Sequence, residues 1–224
     1  MSELRTEFFD SFDGSKLAVH RMGEGRPVLL LHGLFSSADM NWIRFGHAKT
    51  LAQAGFAVIM PDLRAHGQSA APHDPAAYPS DVLYRDAAAL VEGLGLTDYD
   101  LAGFSLGART SARCVISGFA PRRLALCGMG LEGLAGWERR ASFFIDAIDR
   151  FDEVKRGDPA FVAVSFIKTM KVDRVAARLL LQSVADTPPD QLSAITMPTM
   201  ILCGDKDQDN GSAQKLAATL PDAE

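Results

Sequence analysis

The stretch that decides the fold is Gly103-Phe104-Ser105-Leu106-Gly107. The residues before it, Tyr99-Asp100-Leu101-Ala102, form a short apolar segment that is typical of a buried strand. The residues after it, Ala108 to Ile116, contain no Pro or Gly and indicate a helix. A serine between two glycines on such a turn has a strained backbone, and the glycines are needed because strand and helix nearly touch there. The stretch therefore predicts a serine hydroxyl that stands clear at the end of a strand, above the positive end of a helix.

The composition of the 224-residue chain is that of one globular domain, with 47% hydrophobic and 23% charged residues. A net charge of −5 leaves no basic face for nucleic acid and no polybasic patch for a membrane. The N-terminus has no apolar signal segment, and no stretch approaches the ~18–20 apolar residues that span a bilayer. The three cysteines lie in apolar runs without paired spacing, which favours buried, reduced thiols and a cytoplasmic location.

Apolar runs alternate with helical patterns along the rest of the chain, which predicts βαβ units. Besides the strand before Ser105, we expect strands at Thr6–Ser11, Lys16–Met22, Pro27–Leu31, Phe56–Met60, Arg123–Cys127 and Pro198–Cys203. We expect helices at Ala38–Ala54, along the apolar face from Leu83 to Leu94, and at Ala213–Leu220. The fold class is therefore α/β, with a mostly parallel central sheet and helices on both faces.

The pattern changes between Gly128 and Ile195. Phe144, Ile148 and Phe151 are spaced i, i+4 and i+7, and later apolar residues continue at helical spacing without an intervening strand. We interpret residues 129–195 as a helical cap inserted into the core, which then consists of residues 1–128 and 196–224.

Three further segments carry a resemblance to a known family. Leu29-Leu30-Leu31-His32-Gly33-Leu34 is a buried strand that ends in His-Gly. Asp62-Leu63-Arg64-Ala65-His66-Gly67-Gln68-Ser69 resembles a D-x-R-G-x-G-x-S loop, with Ala65 in place of the usual glycine. Gly204-Asp205-Lys206-Asp207 resembles a G-x-x-D motif at the end of a late strand. With the serine turn, and in this order over essentially the whole chain, these segments resemble the α/β-hydrolase superfamily, in particular its capped bacterial serine esterases.

The resemblance implies a role for each residue of a hydrolytic site. Ser105 is the nucleophile, and Asp207 is the acid that orients the base. The backbone N–H groups of Leu106 and Leu34 form the oxyanion hole, with Phe35 as the alternative to Leu34.

Several acids and histidines are alternatives to these assignments. Asp205 and Asp209 stand beside Asp207, and Glu132 is a more distant candidate acid. We expect His32 to hold the oxyanion loop and the loop residue His66 to stabilise its surroundings by a hydrogen bond. The remaining histidines are His20 on an early strand, His47 in the middle of a helix and His73 in a proline-rich loop.

The family order is serine, acid, histidine, yet no histidine follows Asp207 in this sequence. We expect the catalytic histidine beyond Glu224, on a loop after one further strand, so that the present chain is truncated. The alternative is a protein that does without this base.

The resemblance implies a cofactor-independent serine hydrolase that cleaves a small carboxylic ester, lactone or thioester. No metal-ligand spacing or phosphate-binding glycine loop appears, so we expect neither a metal nor a cofactor. A serine at position 105 excludes the dehalogenase and epoxide-hydrolase branch, which has aspartate there. A carbon–carbon bond hydrolase, a perhydrolase and a non-catalytic binding protein on this fold remain alternatives.

Overall fold

A seven-stranded sheet forms the centre of the computed structural model, which describes residues 3–207 and 209–224. Its strands are β1 (Arg5–Asp10), β2 (Lys16–Met22), β3 (Arg26–Leu31), β4 (Phe56–Pro61), β5 (Asp100–Phe104), β6 (Leu124–Cys127) and β7 (Thr199–Leu202). They lie in the order β1-β2-β4-β3-β5-β6-β7. β4, β3, β5, β6 and β7 are parallel, whereas β1 and β2 pair antiparallel at one edge. The predicted α/β class and every predicted strand are confirmed.

Helices pack against both faces of this sheet. They are α1 (His47–Gln53), α2 (Val82–Gly93), α3 (Leu106–Ile116), α4 (Leu131–Ala135), α5 (Trp137–Asp149), α6 (Phe161–Thr169), α7 (Arg174–Ser183) and α8 (Ala213–Thr219). Within β3, Val28 and Leu30 face the side that α1 covers, whereas Leu29 and Leu31 face the core that α2, α3 and α8 share. Within the two described ranges no helix combines the length and the apolar character needed to cross a membrane.

The prediction of one continuous helix over Ala38–Ala54 is wrong, because the structure has two separate helical segments there. A short π-helical segment, Asp39–Ile43, is followed by a turn, and α1 begins only at His47. Gly46 between them has a φ of +84°, which an α-helix cannot contain. His47 is therefore the exposed first residue of α1 and does not lie in the middle of a helix.

The segment between β6 and β7 contains α4, α5, α6, α7 and a 3-10 turn at Pro189–Ala194, and residues 129–195 hold no strand. The helical pattern predicted there is confirmed. This helical insertion contacts the core through the ring of Phe144, which lies edge-on to Phe35 at 5.5 Å between centroids. A second link is the His73–Asp173 pair, with Nε2 and Oδ2 2.8 Å apart.

Residues 222–224 run beside β7. The N–H of Ile201 donates to the carbonyl of Glu224 at 2.8 Å, and Thr199 forms a parallel bridge with Ala223. Over this short length the outer backbone groups of β7 therefore have partners.

Strands β3 and β5 and helix α3 meet at two glycines of the serine turn. A Cβ added to Gly103 would lie 2.2 Å from the carbonyl of Gly107, and one added to Gly107 would lie 2.0 Å from the carbonyl oxygen of Leu31. Both distances are far below van der Waals contact, so neither position accepts a side chain. The close approach predicted from the sequence is therefore observed, and it fixes how α3 leaves the sheet.

We expect Gly107→Ala to lower the free energy of unfolding by at least about 3 kcal/mol, because the added methyl group collides with rigid backbone. Gly93→Ala is the matched control, since Gly93 also lies in a helix but has open space around its Cβ position. This control should be neutral or stabilising by up to about 1 kcal/mol. Urea unfolding of both variants measures the difference, and equal stabilities would contradict the packing described here.

Candidate active site

Ser105 lies at the junction of β5 and α3 with φ +52° and ψ −109°, a conformation that is strained for a residue with a side chain. Its N–H donates to the carbonyl of Cys127 at 2.8 Å, which ties the turn to β6. The half-buried Ser105 lines a cleft of about 780 Å³ between the sheet and the helical insertion, and a small cavity of about 20 Å³ beside it. Leu34, Arg140 and Phe144 also line both spaces.

Two backbone N–H groups near Ser105 are free. No described residue accepts a hydrogen bond from the N–H of Leu34 or from that of Leu106. The N–H of Phe35, by contrast, donates to Nε2 of His66 at 2.9 Å. Of the two residues considered for the second oxyanion donor, Leu34 therefore has an available N–H and Phe35 does not.

The loop of residues 62–69 forms hydrogen bonds that hold the segment carrying Leu34 in place. Nδ1 of His66 donates to the carbonyl of Arg64, so Nε2 is left as the acceptor for Phe35. Burial lowers the pKa of His66, which keeps this imidazole neutral. The carboxylate of Asp62 accepts from the N–H of Ala38 at 2.8 Å. The expected stabilising hydrogen bond of His66 is confirmed, and its partner is the backbone next to Leu34.

His32 is fully buried beneath the same loop. Its Nδ1 donates to the carbonyl of Gly33, its Nε2 accepts from the N–H of Leu63 at 2.9 Å, and its ring meets that of His66 edge-on. Burial, together with the neighbouring His66, lowers the pKa of His32 to about 3. Its expected structural role is confirmed, since both nitrogens are engaged by backbone.

None of the five histidines, all of which the structure describes, lines the cleft or the small cavity at Ser105. His20 contacts Asp62 through Nε2 at 3.1 Å, and His73 pairs with Asp173 at the surface.

Asp207 lies on the loop after β7, half-buried. Its carboxylate accepts from the N–H of Asp209 at 3.0 Å and contacts Nδ2 of Asn210 at 3.5 Å. Asn210 lines the small cavity and Asp209 lines the large cleft, so this loop reaches the space in front of Ser105. Asp205 is exposed.

The carboxylate of Glu132, the more distant candidate acid, binds other groups. It accepts hydrogen bonds from Nζ of Lys215 at 2.9 Å and from the N–H of Ser212 at 2.8 Å. The Lys215 ammonium, helped by the Ser212 N–H, lowers the pKa of Glu132 to about 2. Among the described residues no three His, Cys, Asp or Glu side chains are grouped so that they could hold a metal ion.

The site is bordered by two arginines, Arg109 and Arg140, that the sequence analysis did not single out. Arg109, one helical turn after Ser105, is 2% exposed and donates to the carbonyls of Ala185 and Leu134 in the helical insertion. Its guanidinium lies over the ring of Trp137 at 4.8 Å. Arg140, on α5, lines both spaces at Ser105. The four-residue spacing from Ser105 could have drawn attention to Arg109, whereas Arg140 has no such signal.

Known proteins similar to this chain share its fold but differ in their activities, and epoxide hydrolases are among them. The sequence profile of the family described as alpha/beta hydrolase fold matches residues 26–123. A non-heme haloperoxidase of Rhodococcus erythropolis is 30% identical over 233 aligned residues, which cover 90% of this chain and 82% of that protein. An esterase from Exiguobacterium antarcticum superposes with a TM-score of 0.76 at 20% identity, covering 98% of this chain and 89% of its own. An enol-lactonase from Burkholderia xenovorans gives 0.72 at 20% identity, with 97% and 89% covered.

We expect the protein to lose stability as the pH falls from about 6.5 to 5. In this range the histidines of the unfolded chain bind protons, whereas buried His32 and His66 of the folded protein stay neutral because their pKa values are lowered. Each such histidine contributes a slope that approaches about 1.4 kcal/mol per pH unit. His66→Gln should remove one histidine's share of the slope, while His47→Gln at the exposed start of α1 should not. Urea unfolding across this pH range measures the slope, and a stability independent of pH would contradict the neutral histidine pair.

Proposed function

The chain belongs to the α/β-hydrolase superfamily, and on that premise we propose that it is a cofactor-independent serine hydrolase that cleaves a small carboxylic ester, lactone or thioester. The observation that carries the proposal is the strained Ser105 in a cleft with two free backbone N–H groups. Strain of this kind is kept in proteins where it serves function. An esterase and an enol-lactonase among proteins of the same fold agree with this substrate class.

The proposed reaction begins with attack of the Ser105 hydroxyl oxygen on the substrate carbonyl. The carbonyl oxygen becomes an oxyanion, which accepts hydrogen bonds from the N–H groups of Leu34 and Leu106. Leu106 is the first residue of α3, so the positive end of the helix dipole also faces the oxyanion. Collapse of the tetrahedral intermediate breaks the bond from the carbonyl carbon to the leaving oxygen or sulfur, which takes up the proton that the base removed from Ser105. The alcohol or thiol departs, or in a lactone stays attached to the acyl chain, and water then hydrolyses the acyl ester of Ser105.

Proton transfer from Ser105 requires a base. We propose that Asp207 orients an imidazole located between its carboxylate and the Ser105 hydroxyl. None of the five histidines lines this space. The 224 residues alone should therefore activate Ser105 weakly, with the oxyanion donors supplying the residual rate enhancement.

The helical insertion, residues 129–195, acts in this proposal as a cap over the serine. Phe143, Phe144 and Phe166 form an apolar wall of the cleft that Ser105 also lines. Arg109 joins the cap to α3 through its carbonyl contacts, so the wall has a fixed position relative to the nucleophile.

The three free cysteines agree with the proposed cytoplasmic location.

The second candidate function is a non-catalytic binding protein that uses the same cleft. The absence of the five histidines from the two described spaces at Ser105 favours it. The retained strain at Ser105 argues against it, because a binding pocket has no need of a strained serine.

A fluorophosphonate probe should phosphonylate Ser105, because the N–H groups of Leu34 and Leu106 stabilise the charge that develops on the phosphoryl oxygen. Peptide mass spectrometry locates the adduct, and Ser105→Ala should abolish it. Ser117→Ala is the matched control, since Ser117 is an exposed serine at the other end of α3. With free imidazole added as the base, absence of an adduct on Ser105 would favour the binding protein over the hydrolase.

Free imidazole should accelerate hydrolysis of p-nitrophenyl acetate by the 224-residue chain, with a rate that rises through about pH 6–8 as imidazole loses its proton. Asp207→Asn should reduce this acceleration about tenfold or more, since the amide cannot stabilise an imidazolium. Asp205→Asn, at the exposed neighbouring carboxylate, is the control and should leave the acceleration intact. Full turnover without imidazole would show that the chain holds its own base, and His66 and His73 would then be the first residues to replace.

A further inference from the structure

Arg140 is an unpaired cation in the cleft of Ser105. Among the described residues its guanidinium has one hydrogen-bond acceptor, the backbone carbonyl of Asp209 at Nη1, although it carries five N–H donors. No carboxylate of the described residues lies within 4.0 Å of it, whereas Arg64 and Arg113 each bind an aspartate side chain. Arg140 is half-buried and lines both spaces at Ser105, so an anion bound in the cleft can reach its guanidinium.

From this placement we propose that Arg140 forms an anion subsite, and that the substrate is an ester, lactone or thioester that also carries a free carboxylate. The inference rests on the proposed role of Ser105, because it names the class of molecule bound in that cleft. A guanidinium binds a carboxylate through two parallel N–H···O hydrogen bonds, an arrangement that gives both affinity and orientation.

The charged residues around Arg140 do not prevent its guanidinium from binding an anion. Burial lowers the pKa of Arg140, and the nearby carboxylates of Asp209 and Asp207 offset this only in part. Neither carboxylate forms an ion pair with the guanidinium, so the remaining N–H donors of Arg140 stay available to an anion. Desolvation of the guanidinium is the largest influence on its pKa, so an incoming carboxylate would restore lost interactions.

The remaining walls of the cleft fit the rest of such a substrate. Phe143, Phe144, Val162 and Phe166 offer apolar and aromatic surface in a space of about 780 Å³, large enough for a small molecule with an apolar body. The Arg140 guanidinium lies 5.7 Å from the centroid of the Phe144 ring, which holds it beside this surface. The carboxylate would contact Arg140 while the ester carbonyl faces Ser105.

The test compares phenylacetate with phenylacetamide, which has the same shape and no charge. Isothermal titration calorimetry measures both affinities, and protection of Ser105 from the fluorophosphonate probe locates the bound molecule. We expect phenylacetate to bind at least about tenfold more tightly than the amide. Arg140→Gln should abolish this preference, and Arg140→Lys should retain part of it. Arg178→Gln removes a charge from α7, where Arg178 pairs with Asp149, and should change nothing.

Equal affinities in the wild type, no binding of phenylacetate, or an unchanged preference in Arg140→Gln would each overturn the subsite. Phenylacetate that binds without protecting Ser105 would also overturn it, because the anion would then lie elsewhere. Calorimetry does not depend on reaction at Ser105. A carboxylate preference without a fluorophosphonate adduct would thus support the subsite and contradict the proposed hydrolase. An adduct on Ser105 without a carboxylate preference would support the hydrolase and contradict the subsite.

Discussion

The contact between the backbone of Gly107 and the carbonyl of Leu31 constrains everything near Ser105. Helix α3 leaves the sheet so close to β3 that a methyl group at Gly107 would lie 2.0 Å from that carbonyl oxygen. To enter the helix at this distance the chain must turn sharply, and Ser105 takes a positive φ as a result. The same turn places the free N–H of Leu106 directly after the serine. Packing, strain and the proposed oxyanion site therefore have a single geometric origin.

A second set of contacts fixes the other side of the site. The neutral imidazole of His66 accepts from the N–H of Phe35, and the N–H of Leu34 next to it stays free. His32 supports this arrangement from below through contacts with backbone. These buried histidines are close to the site, but both nitrogens of each ring are already used. Their availability for proton transfer is therefore low, whatever the distance to Ser105.

The sheet and the serine turn could be predicted because they depend on local pattern. Strand periodicity, the helical spacing and the glycines of the turn are all visible within short windows. The break near Gly46 is not visible in the pattern, because apolar residues continue on both sides of the turn that separates Asp39–Ile43 from α1. Arg140 was missed because its importance depends on what lies opposite it in space. A helical arginine without a carboxylate partner looks like any solvated arginine until the cleft is seen.

The central claim is that Ser105 and the N–H groups of Leu34 and Leu106 form one oxyanion site. A crystal structure of the phosphonylated protein tests it most directly, because the phosphoryl oxygen occupies the place of the oxyanion. We predict a bond from phosphorus to Ser105 Oγ, with this oxygen about 2.7–3.1 Å from both backbone nitrogens. An oxygen that points into the open cleft, or that displaces His66 from the N–H of Phe35, would contradict the claim.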